Sequence, residues 1–464
     1  METRPSLKIR RFLFAVLAIS FAVRGVLILE GGQYFWPDEH RYDRSRQAAE
    51  DLIEGKERAA VESLLDPRNP MFRVMGVVPA LIEKATFPSL KIPAFFFSIF
   101  SVLNIWMVSR IVRSIGGRER EQLLAAMLMA LSTTAAYYAR HILPYDTAMF
   151  FGLASLWFAL KKPYQPRNAL LSGFLACVTF LTYGGYWLLS GLSLVATILL
   201  SHNRSTALIL RKLFLWSFAF ALPAISMLLM GKFLVQKPLL DLYIDFAGSV
   251  TQGSFAEGWL LPFPYLWYSE HMLFIFFLAS VVFTLANAKK NPRVQLGAIA
   301  ITFIYLGLVV VSTGLQLFVV YGRLARQLMP FLVILGAVAL EHLWSISNHA
   351  KRLAVLLVVG LAFQSAFNFG PIFGQEFPIE FRESVINYIS NLSSDDYLLI
   401  YAEIIYPELD QIPITGDYHV VHQADHPLEF RPYQYEGYTP EQRALLRQED
   451  IDMRLIIYEN TEER

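Results

Sequence analysis

Residues 34–46 read YFWPDEHRYDRSR and follow closely on the first apolar run of the chain, Phe12 to Leu29, which carries a single charge, Arg24. Asp38 and Glu39 are adjacent, and Arg41, Tyr42, Asp43, Arg44 and Arg46 follow within eight residues. Pro37 suits the first turn of a helix, and acids in that turn complement the positive end of the helix dipole. The stretch therefore predicts a short helix lying along a membrane surface at the point where a first span ends. An acidic pair there has a plain structural reading, helix capping, and a chemical one, which depends on what else reaches the same surface.

The whole chain supports a membrane setting. Of its 464 residues 55% are apolar, 14% aromatic and only 17% charged, with a mean hydropathy of +0.41, the composition of a multi-span membrane protein. Forty basic and 39 acidic residues leave a net charge of +1, so no overall field argues for nucleic acid. The balance is uneven, with 19 acids against 6 bases from Gly370 onward. The one cysteine, Cys177, excludes an intrachain disulfide. No small-residue cleavage site follows the first apolar run, which reads as a retained span and not a signal peptide.

Apolar segments at 12–29, 93–112, 122–138, 146–160, 168–183, 186–200, 212–230, 265–286, 294–317, 327–346 and 352–369 predict about eleven transmembrane helices. Basic clusters fall around Arg10, Arg113, Lys161, Arg211, Lys290 and Lys351, each two crossings from the next. The positive-inside rule puts all six in the cytoplasm. The segment Met71 to Phe87, with Arg73, Pro79, Glu83 and Lys84, would invert every later loop as a span, so it reads as an amphipathic interfacial helix. Residues 30–92 then form a first outer loop within a membrane domain of residues 1–369. Residues 370–464 read as a small soluble α/β domain on the same outer face, with helix-like 380–391 and 440–448 and strand-like 397–402, 417–421 and 453–458.

With this topology three polar groups from distant spans meet at the outer boundary. The first is Asp38/Glu39. The second is Arg140-His141 with Asp146, which heads a span too short to cross about 30 Å of hydrocarbon and so sits at depth. The third is Tyr321 with Arg323 and Arg326, two guanidinium groups one helical turn apart. Asp146 at that depth is costly without a partner or a task. The set suits transfer from a lipid phosphate. A carboxylate takes the proton of an attacking hydroxyl, and arginine holds the departing phosphate. The adjacent acids also suit a divalent cation, Mg²⁺ or Mn²⁺. Glu270-His271 is a secondary candidate for substrate contact, its alternative being a hydrogen-bonded packing pair; Tyr183 and Trp187 read as members of an interfacial aromatic belt.

PDEHRY (37–42), RNPMF (68–72), ARHILPYDTAMFF (139–151) and YGRLARQLMPFLVILGAVAL (321–340), in this order behind a basic N-terminus, resemble the GT-C superfamily of polyprenyl-phosphate-sugar-dependent glycosyltransferases. The likeness is greatest to protein O-mannosyltransferases and aminoarabinose transferases, covers roughly residues 8–345 and excludes the tail. It implies Asp38 as catalytic base within the Asp38-Glu39 pair, Asp146 as a second functional acid, and an arginine at the head of the span that begins at Arg323–Pro330. Arg41 joins the arginines as a candidate phosphate ligand; Tyr42, Arg140, His141 and Tyr321 are candidates for substrate contact. The PDEH string lacks the leading histidine of the dolichol-dependent mannosyltransferases, Trp36 standing there instead. The expected protein is thus an all-α polytopic enzyme of the plasma membrane that takes a sugar from undecaprenyl or dolichyl phosphate and gives it to a lipid, glycan or protein. The rival class is a transporter or lipid-linked-sugar flippase, which should show repeated halves and polar groups at the midplane.

Overall fold

The structure is a computed structural model that describes residues 6–29, 33, 37–65, 69–161, 165–199, 205–236, 238–244, 262–315, 322–374, 397–401, 417–422 and 454–459. Each of the eleven predicted apolar segments falls on helix. They lie in α1 (Leu7–Leu29), α5 (Lys91–Ser114), α6 (Glu119–Leu131), α8 (Tyr145–Leu160), α9 (Pro166–Thr182), α10 (Trp187–Leu199), α11 (Thr206–Met230), α13 (Met272–Ala288), α14 (Pro292–Val309), α16 (Met329–Ile346) and α17 (Asn348–Gly374). Among the described residues six helical stretches are long and apolar enough to cross a membrane: Ile9–Leu29, Lys91–Ser114, Thr206–Val235, Pro292–Gly314, Arg323–Ile346 and Asn348–Phe369.

Burial orders these helices. Every residue from Met329 to Glu341 is buried, so α16 is the axis of the bundle, apolar on all sides because all its sides are packed. In α11 only 11% of the apolar window is buried, which marks a helix facing lipid. Small residues allow close approach between neighbours. A Cβ on Gly173 of α9 would collide with the Trp216 carbonyl of α11, and Ser155 of α8 donates to the Ser172 carbonyl of α9 at 2.7 Å. Arg24, the charge inside α1, is 1% exposed and is satisfied by Ser101 Oγ and the carbonyls of Ser20 and Ala135.

Two predicted spans are interrupted. The segment 122–138 breaks at Ser132 into α6 and α7 (Thr133–Tyr137), and the segment 265–286 breaks at His271, where φ is +47°, into α12 (Pro262–Glu270) and α13. One break repairs the other. The Glu270 carboxylate, fully buried, accepts from Ser132 Oγ at 2.6 Å and from the amides of Thr133 and Thr134 at 3.1 and 2.9 Å. Helix N-termini carry unsatisfied amides, and inside a bilayer only a protein group can meet them. Glu270 therefore caps α7 and does not pair with His271.

The first loop forms α2 (Asp43–Ile53), α3 (Glu57–Leu64) and α4 (Pro70–Ala85), the last matching the expected amphipathic helix, with Val74, Val78, Leu81 and Ile82 exposed. Tyr42, Ala49, Phe72, Ala80 and Phe97 join Ile28 and Ile142 in a second core that fixes these helices to the end of α1 and to the turn before α8. The basic segments meet at the opposite end of the bundle: Glu119 accepts from Ser6, Arg293 binds Glu121, and Arg118 and Arg120 share Glu341. In the tail, β1 (Tyr397–Tyr401), β2 (Asp417–His422) and β3 (Arg454–Glu459) pair antiparallel in the order β1-β3-β2, close to the three expected strands. The helix-like stretches 380–391 and 440–448 lie outside the described residues.

Candidate active site

The acidic pair lies on a 3₁₀ turn, Pro37–Tyr42, that leads into α2. Glu39 is fully buried; its carboxylate accepts from the Ile142 amide at 2.7 Å and sits 3.0 Å from His141 Nδ1, which donates to it when that nitrogen carries the proton. Gln33 strengthens the same seam, donating to the carbonyls of Ile28 and Arg140. The side chain of Asp38 lies outside the described ones, but its backbone is fixed by this neighbour. Arg41 is half-buried on the same turn.

Glu39 thus anchors the turn that opens α8, where Pro144 precedes Tyr145 and Asp146 in the first helical turn. Asp146 Oδ1 accepts from Arg326 Nη2 at 2.6 Å, with side chains 7% and 1% exposed. Asn104 donates to the Asp146 carbonyl at 2.9 Å. Arg323, half-buried on the short helix α15 (Gly322–Ala325), donates from Nη1 to the Tyr145 hydroxyl at 2.8 Å and lies over its ring. The two arginines expected on one helix face have different surroundings, because the chain tightens into a 3₁₀ turn at Arg326–Leu328. That turn draws Arg326 inward over the Tyr138 ring, 4.5 Å from its centroid.

Several site-forming residues were not marked by the sequence. Gln327 accepts from the Leu189 amide at 3.2 Å and donates to the carbonyls of Gly185 and Leu324, bolting the Gly184-Gly185 break to the arginine segment. Tyr186 donates to the Arg323 carbonyl at 3.1 Å. Tyr138, Tyr145, Tyr183 and Tyr186 form a chain of edge-to-face rings with centroids 4.9–5.4 Å apart. Tyr183 is buried in this chain instead of joining a surface belt. A polar residue opposite a Gly-Gly break was the available signal for Gln327.

Other candidates have tasks within the protein. Tyr42 is fully buried and donates to Glu83 Oε2 at 2.6 Å, while Arg46 binds both oxygens of Glu83. Burial, then the bond to Glu83, raises the Tyr42 phenol above its usual range. Arg140 and His141 are buried in the turn before α8, Glu270 is the α7 cap, and His271 stands at the helix break with its ring against Trp267. Tyr321 lies outside the described residues. Among the described residues no three His, Cys, Asp or Glu side chains gather as metal ligands.

Solved structures share the fold of this helical bundle, among them two of ArnT from Cupriavidus metallidurans. The form bound to undecaprenyl phosphate has a TM-score of 0.55 at 12% identity over 96% of this chain and 97% of that one, and the apo form a TM-score of 0.53 at 14% identity over 82% and 69%. The archaeal oligosaccharyltransferase AglB from Archaeoglobus fulgidus, in complex with an inhibitory peptide and a dolichol-phosphate, gives a TM-score of 0.49 at 13% identity over 83% of this chain, which spans 59% of its length. No family model matches the chain, and no curated protein matches its sequence.

Proposed function

We propose that the chain is an inverting glycosyltransferase that moves a sugar from a polyprenyl phosphate, undecaprenyl or dolichyl, to a lipid, glycan or protein acceptor on the non-cytoplasmic membrane face. The observation that carries this reading is the junction of three segments distant in sequence: the Asp38-Glu39 turn pinned to His141-Ile142, with Asp146 and Tyr145 of the next turn holding Arg326 and Arg323. The likeness to ArnT bound to undecaprenyl phosphate supports the donor class.

In this mechanism Asp38 removes the proton of the acceptor hydroxyl as its oxygen attacks the anomeric carbon. The carbon–oxygen bond to the carrier breaks on the opposite side, and polyprenyl phosphate leaves with the bonding pair. Arg323, the more accessible of the two arginines and part of the aromatic wall, meets the charge growing on that phosphate, with Arg41 beside the acidic turn. Arg326 is committed to Asp146 and holds the α8 turn in place; Glu39 orients the base. In this reading all eleven apolar helices cross the membrane, and the segment after α17, which carries β1, β2 and β3, lies on the side of the site.

The test is transfer of radiolabelled sugar from undecaprenyl-phosphate donors by the purified protein, with and without chelator. Product defines the class, and loss of product with EDTA would place a divalent cation at Asp38. Absence of transfer from every donor, together with movement of labelled lipid across vesicles, would replace the enzyme by a flippase.

A further inference from the structure

Two segments far apart in sequence are fastened together behind the aromatic wall: the turn Gly184–Tyr186 that separates α9 from α10, and the arginine segment of α15 and the 3₁₀ turn Arg326–Leu328. The fastener is Gln327. Its side chain is fully buried; Oε1 accepts from the Leu189 amide at 3.2 Å, and Nε2 donates to the carbonyls of Gly185 at 3.3 Å and Leu324 at 3.2 Å. Gly185 and Leu189 stand four residues apart, the spacing at which a regular helix joins carbonyl to amide directly. The glutamine amide is interposed between them, and a side chain inserted into that ladder opens a helix. Accordingly α10 begins only at Trp187, after the 3₁₀ turn.

The opening places both partners of the Arg323–Tyr145 hydrogen bond. On the arginine side, Tyr186 donates to the Arg323 carbonyl at 3.1 Å, and a Cβ on Gly185 would stand 2.8 Å from Leu324 Cδ2, so the two segments are in close apposition. On the tyrosine side, Tyr183, the last residue before the turn, sets its ring edge-to-face on Tyr145 at 4.9 Å. The consecutive carbonyls of Arg323 and Leu324 are thus each held by a side chain, from Tyr186 and Gln327, while the Arg323 guanidinium reaches Tyr145. A buried amide bonded in this way cannot shift without stranding several polar groups at once, so it fixes the backbone that carries Arg323.

We infer that Gln327, together with Tyr186, is a positioning residue that sets Arg323 for the phosphate of the polyprenyl carrier. The inference rests on the donor-binding role proposed above for Arg323. Being fully buried, Gln327 acts through the Arg323 backbone and not by contact with the carrier. Its effect is felt because a clamp misplaced by about 1 Å loses much of its advantage.

The full-length protein in detergent, titrated with undecaprenyl phosphate, tests this. Binding should weaken about tenfold or more in Arg323→Ala and about fivefold in Gln327→Met, which keeps the length of the side chain and loses its hydrogen bonds. Tyr186→Phe loses one hydroxyl, keeps its place among the rings and should weaken binding about threefold. Because both residues act through the arginine, neither substitution should weaken binding further in an Arg323→Ala background, whereas a purely structural role would cost the same step in either background. Sugar transfer should follow, with kcat lowered and the KM for acceptor unchanged. If Gln327→Met does not fold, Tyr186→Phe with and without Arg323→Ala decides. Additive losses, or full undecaprenyl phosphate binding in folded Gln327→Met or in Tyr186→Phe, would overturn the assignment. The non-additive pattern in a protein that transfers no sugar would uphold it and count against the transferase reading instead.

Discussion

Replacing Asp146 with asparagine leaves Arg326 charged in a site where it is 1% exposed, 2.6 Å from a group that no longer carries charge. With charge centres about 4 Å apart and an effective dielectric near 20, the lost attraction is about 4 kcal/mol. That agrees with the roughly 3–5 kcal/mol cost of removing one partner of a buried pair. Arg326→Met exposes the converse problem, an unpaired Asp146 carboxylate, and should cost a similar amount. The double variant Asp146→Asn/Arg326→Met buries no net charge, so it should be far more stable than the sum of its parts, with a coupling of about 3 kcal/mol. Unfolding midpoints in a mild detergent, read by tryptophan fluorescence across wild type, both singles and the double, measure this directly. Additive losses, with the double the least stable of the four, would refute the view that Arg326 serves mainly as the counter-ion of Asp146.

Other consequences follow from individual contacts. Glu270→Ala removes the cap of α7 and strands three buried donors, so stability should fall by about 2 kcal/mol while transfer per folded molecule is unchanged; a selective loss of turnover would return Glu270 to the site. Gly173→Ala forces a methyl into the Trp216 carbonyl and should cost about 1–3 kcal/mol in the same melts, whereas no loss would mean that α9 and α11 are less tightly apposed. Arg323→Ala should lower transfer by about 10²–10³-fold with little change in melting, and lysine should rescue it only in part. Equal turnover in the alanine variant would leave Arg323 as a packing residue against Tyr145.

The apolar segments were readable because hydropathy reports burial and lipid contact directly. The amphipathic character of α4 was readable from the charges Arg73, Glu83 and Lys84 set among its apolar residues. The grouping of basic segments at one end was readable for the same reason: Arg118, Arg120 and Arg293 meet there on Glu341 and Glu121. What escaped was pairing across long separations. Periodicity cannot reveal that Glu39 spends its oxygens on His141 and Ile142, or that Arg326 turns inward while Arg323, three residues earlier, does not. The break at Ser132 was hidden because its repair lies 138 residues away, in Glu270. The Ser132-Thr133-Thr134 run is a capping sequence, and with a buried acid it was a signal open to notice. The tyrosine wall escaped for a different reason, since aromatic residues near a membrane boundary look the same in sequence whether they face headgroups or a packed site.

The central claim is the proposal that Asp38, next to the anchored Glu39, acts as the base. Asp38→Asn keeps the size and hydrogen-bonding capacity of the side chain and removes its basicity. Transfer of radiolabelled sugar from undecaprenyl phosphate by the purified variant should fall by about 10²-fold or more, with donor binding and melting temperature retained. Turnover equal to wild type in Asp38→Asn would contradict the account.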